Sequence, residues 1–351
     1  VAQLSQFHTQ QLKTFSVNYD FGPQYDESGY AREVATNFGT EHHEIQVTPT
    51  LFRDWITSYV WHMDEPVTEA AAISLHYVSA LAKQHVTVVL SGEGADELLG
   101  GYDIYKYMWA IDRYRRVPKV LRKLVESPLG LLGNAKLNKY VALAQKPIES
   151  AYFGVSLYEP SKVAELVSDE LRALHTSGHG ATVVHNDQID HPLNKMLDFD
   201  VRTWLVDNLL VKADKMTMAS SLELRVPFLD YRLIEFCANL PVHYKINRGN
   251  KKFLLKHCMR EHLPPSITQR KKVGFPTPLA MMFRTELHEY AADLLHSTAF
   301  KQRGLFSADT AQRWLTEHRD GQADHHRELW QLVALEEWFR VFVDRQLPTT
   351  A

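Results

Sequence analysis

Apolar and polar positions along the chain switch between a period of about two and one of about 3.6 residues, and the switches predict the elements. Residues 14–19, Thr-Phe-Ser-Val-Asn-Tyr, form a β-rich run closed by Asp20 and by Gly22-Pro23. A charged helical pattern follows over 26–38 and stops at Gly39. Residues 42–47 read as a second strand, 49–63 and 68–83 as helices, and 86–90 as a third strand, giving the order β-α-β-α-α-β. That third run is short, β-branched and in the main apolar, the signature of an interior strand covered on both faces of a parallel sheet.

Past Tyr102 the strand signal fades. Residues 105–127 read as a basic, aromatic helix, 128–138 and 176–192 as connectors, and 193–220 as one long helix with an apolar stripe of Leu193, Met196, Leu197, Val201, Trp204, Leu205 and Leu209. Asp200, Asp207 and Asp214 are seven apart on it and predict a single polar face, solvated or lining a cleft. Residues 221–230 are an apolar run that carries Glu223 and Arg225, two charges that need partners if buried, and ends in a proline turn. Asp230 is placed to cap a helix over 231–240, and another helix covers 251–262. From 278 to 345 the chain is helical, with a heavy apolar face around Trp330, Val333, Trp338 and Phe342 that reads as core.

Strands alternating with helices imply right-handed crossovers and a parallel sheet, whose ligands sit outside the carboxyl ends of the strands. Residues 17–20 and 91–97 stand at such ends. Beyond Ser91, Gly92 and Gly94 let the backbone approach a ligand, and a helix starting near Ala95 aims N–H groups at the same place, which suits an anion. No Gly-Lys-Ser/Thr follows, and the glycines do not fit the dinucleotide spacing. Glu93, Asp96 and Glu97 are hard oxygen ligands beside that turn, the usual partners of a Mg²⁺ shared with phosphates; a tight turn with solvated acids is the competing reading. Val17 fits the wall of an adenine site or a plain core position, and Asp64-Glu65-Pro66 a further acidic turn or a helix stop. Arg270-Lys271-Lys272, held between a turn and Gly274-Phe275-Pro276, suits phosphate or a solvated loop.

Composition narrows the classes. At 351 residues the chain is long for one core, so two cores or one domain with a large extension is expected. Hydrophobic residues at 45% and charged ones at 23% are those of a folded protein. A net charge of −3 gives no overall basic field, which argues against nucleic acid and acidic membrane as partners and leaves the arginines of 105–127 as a solvated face. Cys237 and Cys258 form no framework, pointing to a reducing, cytoplasmic setting, and no apolar run approaches a membrane span. The pairs His42-His43 and His325-His326 are adjacent rather than four apart, so no helical zinc site is expected. There is no initiator Met or signal pattern, and Val1-Ala2-Gln3-Leu4 reads as the middle of a helix.

Leu90-Ser91-Gly92-Glu93-Gly94-Ala95-Asp96-Glu97 with Gly100-Gly101-Tyr102, and Lys212-Ala213-Asp214-Lys215-Met216 with the run from Glu223 to Asp230, resemble the ATP-site and helical signatures of the synthetase domain of glutamine-dependent asparagine synthetases. The Arg270-Lys271-Lys272 loop and the stretch from Asp324 to Trp338 fit too, so the resemblance spans nearly the whole chain. It implies a parallel-sheet α/β fold of ATP-pyrophosphatase type (adenine nucleotide alpha hydrolase-like) with a large helical extension, divided into an α/β core over 1–125 and a mainly helical remainder over 126–351. It also implies that Mg²⁺-ATP adenylates aspartate with release of pyrophosphate. Ammonia, delivered from glutamine by a glutaminase domain, then displaces AMP to give asparagine. Carried over by motif, Val17, Ser91 and Gly92 contact the nucleotide, Glu93 assists formation or capture of the adenylate, Asp96 holds Mg²⁺, and Lys272 binds the phosphates. Asp214, Lys215, Glu223 and Arg225 line or brace the acceptor pocket.

The family's first phosphate loop, Ser-Gly-Gly-x-Asp-Ser, and its glutaminase domain do not occur in these residues. The chain is therefore expected to be an incomplete piece of a longer cytoplasmic synthetase, inactive alone, with homodimer formation left open. Family relatives that close a β-lactam, cyclise a peptide or amidate a cell-surface sugar remain alternatives, as does a non-catalytic nucleotide-binding remnant.

Overall fold

The computed structural model describes residues 1–22, 25–118, 122, 152, 154–155, 160–174, 188–270, 274 and 277–348. β1 (Lys13–Asn18) pairs in parallel with β2 (Glu41–Gln46), in register from Lys13 opposite Glu41 to Asn18 opposite Gln46. The helix Ser28–Phe38 makes the crossover between them. Thr48 then caps the helix Pro49–Asp54 by accepting the Leu51 N–H, and helices Ile56–Met63 and Ala71–Lys83 lead to β3 (Val88–Leu90). The predicted order of elements is present.

The pairing is less continuous than predicted. β3 pairs in parallel with the distant β4 (Glu223–Arg225), so the described parallel strands form two separate two-stranded sheets. A small antiparallel pair, β5 (Ile246–Asn247) with β6 (Asn250–Lys251), lies apart. The architecture is α/β with a helical majority. β3 also corrects the expectation of a strand buried on both faces: Val88 is 38% and Leu90 54% exposed. Among the described residues the other edge of β3 has no strand partner, so side chains suited to an interior stand at an open edge.

Two further expectations change. The long helix from 193 onward is α-helical over Pro192–Arg202, π-helical over Trp204–Leu210 and α-helical again over Val211–Met218. A π segment bonds i to i+5 and shifts the phase of everything beyond it. Asp200, before that segment, is fully buried, whereas Asp207 and Asp214, within and beyond it, are exposed, and the polar row does not form. Glu223 and Arg225 are not buried charges either. They project from the half-solvated β4 and pair with each other, Arg225 Nε to Glu223 Oε1 at 2.8 Å. Of the basic helix predicted over 105–127, Asp103–Arg115 is helical, and the connector at 128–138 lies outside the described residues.

One core joins both parts of the chain. Tyr19, Val47, Phe52, Ile56 and Ile73 pack with Met216, Phe283, Trp314, Leu329, Trp330 and Val333, so the apolar face predicted near Trp330 and Val333 is interior. The buried Trp330 indole donates to Thr68 O at 3.0 Å, which satisfies its N–H. Arg303 donates to both oxygens of the buried Glu336, at 2.6 and 3.0 Å, and also to Asp344. No described helix is long and apolar enough to cross a membrane.

Leu329 is fully buried in this core. Leu329→Ala is expected to cost about 2–5 kcal/mol, measured as a lower urea midpoint at unchanged slope. A midpoint equal to that of the parent chain would contradict the packing described.

Candidate active site

The ladder of β3 and β4 continues into the turn, because Ser91 N–H donates to Arg225 O at 2.9 Å. Two glycines then fix the backbone. Gly94 lies at φ 86, and a Cβ on it would stand 2.2 Å from Leu229 Cδ2, so both conformation and space demand glycine. Gly101 passes so close to Asp96 that a Cβ would fall 1.7 Å from Oδ1. Between them the five-residue helix Ala95–Leu99 buries Leu98 and Leu99 against Cys237, Leu229, Leu233 and Leu255. Gly92 is exposed, with nothing within 4 Å of its missing side chain. The turn is open at its tip and anchored at its base.

Its three acids have different surroundings. Glu93 is half-buried, and Asp96 forms an ion pair with Lys252 at 2.9 Å. Glu97 is buried, accepts the Tyr102 hydroxyl, and has its pKa raised, chiefly by burial. It is a strut beneath the turn rather than a surface ligand. Deeper still, Asp200 Oδ2 accepts Tyr105 at 2.6 Å and also Tyr152. Burial pushes this carboxyl up to about 7. The spacing of Asp200, Asp207 and Asp214 predicts a polar face and gives no sign of this network, whose tyrosines come from two other segments of the chain.

Lys252 carries the connection onward. It sits at φ 50, a left-handed conformation that costs a non-glycine residue about 1–2 kcal/mol, and heads the helix Phe253–Cys258. One turn later Lys256 Nζ donates to Arg270 O at 3.2 Å. The Arg270 guanidinium is 2.8 Å from Glu27 Oε1 and lies over the Tyr30 ring, 4.8 Å from its centroid. Tyr30, with Tyr19, Asp20, Gly22, Asp26, Gly29 and Glu33, lines a cleft of about 480 Å³ just beyond β1. A chain of contacts therefore links the acidic turn, the start of the cationic loop and the carboxyl end of β1. Lys272 itself lies outside the described residues.

The other expected site residues are dispersed along these elements. Val17 faces Ile45 across the β1–β2 ladder and packs against the main core. Lys215 forms an ion pair with Asp64, whose backbone carbonyl accepts the Trp338 indole N–H at 2.7 Å. The acidic turn at Asp64 is therefore tied to the helix Val211–Met218, on which Asp214 remains exposed.

A family model for asparagine synthase matches residues 1–340. The chain belongs to the asparagine synthase family. It is 32% identical over 352 residues to asparagine synthetase (glutamine-hydrolysing) 1 of Bacillus subtilis, covering 99% of this chain and 54% of that protein. It is 34% identical over 355 residues to a protein of Mycobacterium tuberculosis H37Rv provisionally named asparagine synthetase (glutamine-hydrolysing), at 99% and 53% coverage. A weaker similarity, 25% over 333 residues, covers 86% of this chain and 48% of amidase chry2 of Gibberella zeae. The chain spans about half the length of the curated relatives it matches.

The Asp200 carboxyl gives a test of the family motif's buried foundation. A group held up to about 7 when folded, and near 3.9 when unfolded, binds more protons in the folded state between those values. Its contribution to stability is complete below about pH 4 and is lost as pH rises toward 7, by at most about 1.4 kcal/mol per pH unit. Asp200→Asn is expected to remove that slope from urea unfolding measured across the window. A curve unchanged by the substitution would show that Asp200 titrates as an ordinary carboxyl.

Proposed function

We propose that the protein containing this chain is an ATP-dependent amide ligase that adenylates aspartate and transfers ammonia to it, forming asparagine, AMP and pyrophosphate. The observation that carries this reading is the chain of contacts Asp96–Lys252, Lys256–Arg270 and Arg270–Glu27. It joins an acidic glycine turn and a cationic loop at the carboxyl end of a parallel pair, where folds of this kind bind ligands.

In this reading the exposed backbone at Gly92 lies against the nucleotide with Ser91, and Val17 walls the base. Asp96 would hold Mg²⁺: its carboxylate is a hard oxygen donor of the kind the ion takes, and it would turn from its pairing with Lys252 to bind the ion. The ion would supply charge neutralisation at the phosphates. An aspartate carboxylate oxygen bonds to the α-phosphorus as the bond to the bridging oxygen breaks, and pyrophosphate leaves with the electron pair. Lys272 offsets the charge that develops there, the kind of preorganised stabilisation that usually contributes most. The ammonia lone pair then attacks the acyl carbon, the bond to AMP breaks, and the nitrogen gives up a proton. Glu93, half-buried beside the turn, assists formation or capture of the adenylate. Asp214, Lys215, Glu223 and Arg225 brace the acceptor side, with Lys215 fixed by Asp64.

Two relatives are named as glutamine-hydrolysing and are about twice as long as this chain, which supports glutamine as the ammonia source and a glutaminase domain as the partner. Among the described residues one edge each of β1 and β3 has no strand partner, which suits a strand bringing in the family's first phosphate loop.

The complete protein is expected to release pyrophosphate from Mg²⁺-ATP only when aspartate is present, in a coupled pyrophosphate assay. Release driven by another carboxylate, with aspartate inert, would overturn the substrate assignment. Lys272→Ala in the same protein is expected to lower kcat by roughly 10²-fold or more, as loss of one preorganised charge does. An unchanged kcat removes Lys272 from the site.

A further inference from the structure

We propose that Glu41, His43 and His85 form a binding site for one divalent transition-metal ion, zinc being the best chemical match. The proposal is independent of the nucleotide site. Glu41 and His43 are two apart on β2, and on a strand that spacing puts both side chains on one face. His85, from the segment leading into β3, comes to the same place from elsewhere in the chain. One nitrogen or oxygen from each of the three lies within 4.8 Å of the others. His43 Nε2 is 2.8 Å from Glu41 Oε1, and the His43 and His85 rings lie 3.8 Å apart between centroids. Phe15, at 5.4 and 5.9 Å from the two rings, supplies an apolar wall.

Two imidazoles and a carboxylate are the donors that zinc takes readily, whereas Mg²⁺ and Ca²⁺ prefer oxygen alone. Zinc–nitrogen bonds of about 2.0–2.1 Å require the donors to draw closer, and the stacked rings, now 27° apart, to open so that both lone pairs converge. The side chains have room to turn: Glu41 is 41% and His43 21% exposed. Lys13 Nζ, 3.7 Å from Glu41 Oε2, must give up its pairing, a small loss for a solvent-accessible ion pair. A bound ion ties the start of the β1–β2 pair to the entry of β3, bridging two pairs that share no strand contact among the described residues.

Isothermal titration of the chelator-treated 351-residue chain with zinc chloride tests this. The expected result is one tight equivalent, weakened in His43→Ala and in His85→Ala by at least the 10–100-fold, roughly, that loss of even an outer-shell partner costs. His42→Ala is the control, because His42 points to the other face of β2 and bonds to Thr14 Oγ1 at 2.8 Å; it should bind zinc as the parent does. Should either alanine variant lose the parent's circular dichroism, His85→Gln and His43→Gln replace them. Absence of a one-equivalent site in the parent, or tight binding that survives both His43 and His85 substitutions, overturns the proposal.

Discussion

The ion pair between Asp96 and Lys252 holds the candidate site together. Each partner is largely withdrawn from solvent, 14% and 20% exposed, so removing one leaves a poorly solvated charge. That loss, about 3–5 kcal/mol for a fully buried pair and less for one with this much solvent contact, is of the same order as the roughly 1–2 kcal/mol of left-handed strain at Lys252. The pair offsets that strain, and Lys252 stands in the conformation that starts the helix Phe253–Cys258. From there the position of Lys256, the carbonyl of Arg270 and the stacking of Arg270 on Tyr30 all follow. Distant segments are aligned by one contact made at the base of the glycine turn.

Burial divides the acids of that turn into separate tasks. Glu97 and Asp200 are enclosed, hydrogen-bonded by tyrosines and shifted toward their neutral forms, so they contribute shape and hydrogen bonds. Asp96 pairs with Lys252, and Glu93 keeps contact with solvent. Three carboxylates close together would repel one another if all were ionised, and withdrawing Glu97 into the protein relieves that repulsion. The open tip therefore carries the charge, while the base carries the rigidity.

Much of this was legible in the chain itself wherever the information was local. β1, β2 and the helix Ser28–Phe38 follow from periodicity and stop signals, and Asp230 does cap its helix by accepting the Arg232 N–H at 3.0 Å. The glycine turn was readable because Gly94 is required by its own backbone. What failed depended on neighbours that no local pattern records. Val88 and Leu90 have the composition of an interior strand, but exposure is set by what lies alongside. Asp200 is buried because two tyrosines arrive against it from other segments, and the π segment that follows it takes Asp207 and Asp214 out of its row.

The described sheets are too thin to make the site rigid by themselves. A two-stranded pair is marginal in water, and β3 contributes only three residues. Rigidity must come from the packed side chains on either side of the turn. Leu98 and Leu99 enter one cluster with Cys237, Leu229 and Leu255, while Tyr102 and Tyr105 enter another with Met108, Leu193, Met196 and Ile246. The segment from Ala95 to Tyr105 is thus gripped by two small cores that meet at Gly100 and Gly101, and Ile246 would stand 3.0 Å from a Cβ on Gly100. A larger residue at Gly100 would press on Ile246 and one at Gly101 would strike Asp96 and Lys252, so this packing fixes where Asp96 stands. The geometry of the acidic turn is therefore set by helix packing, and the strand serves mainly to deliver the chain to it.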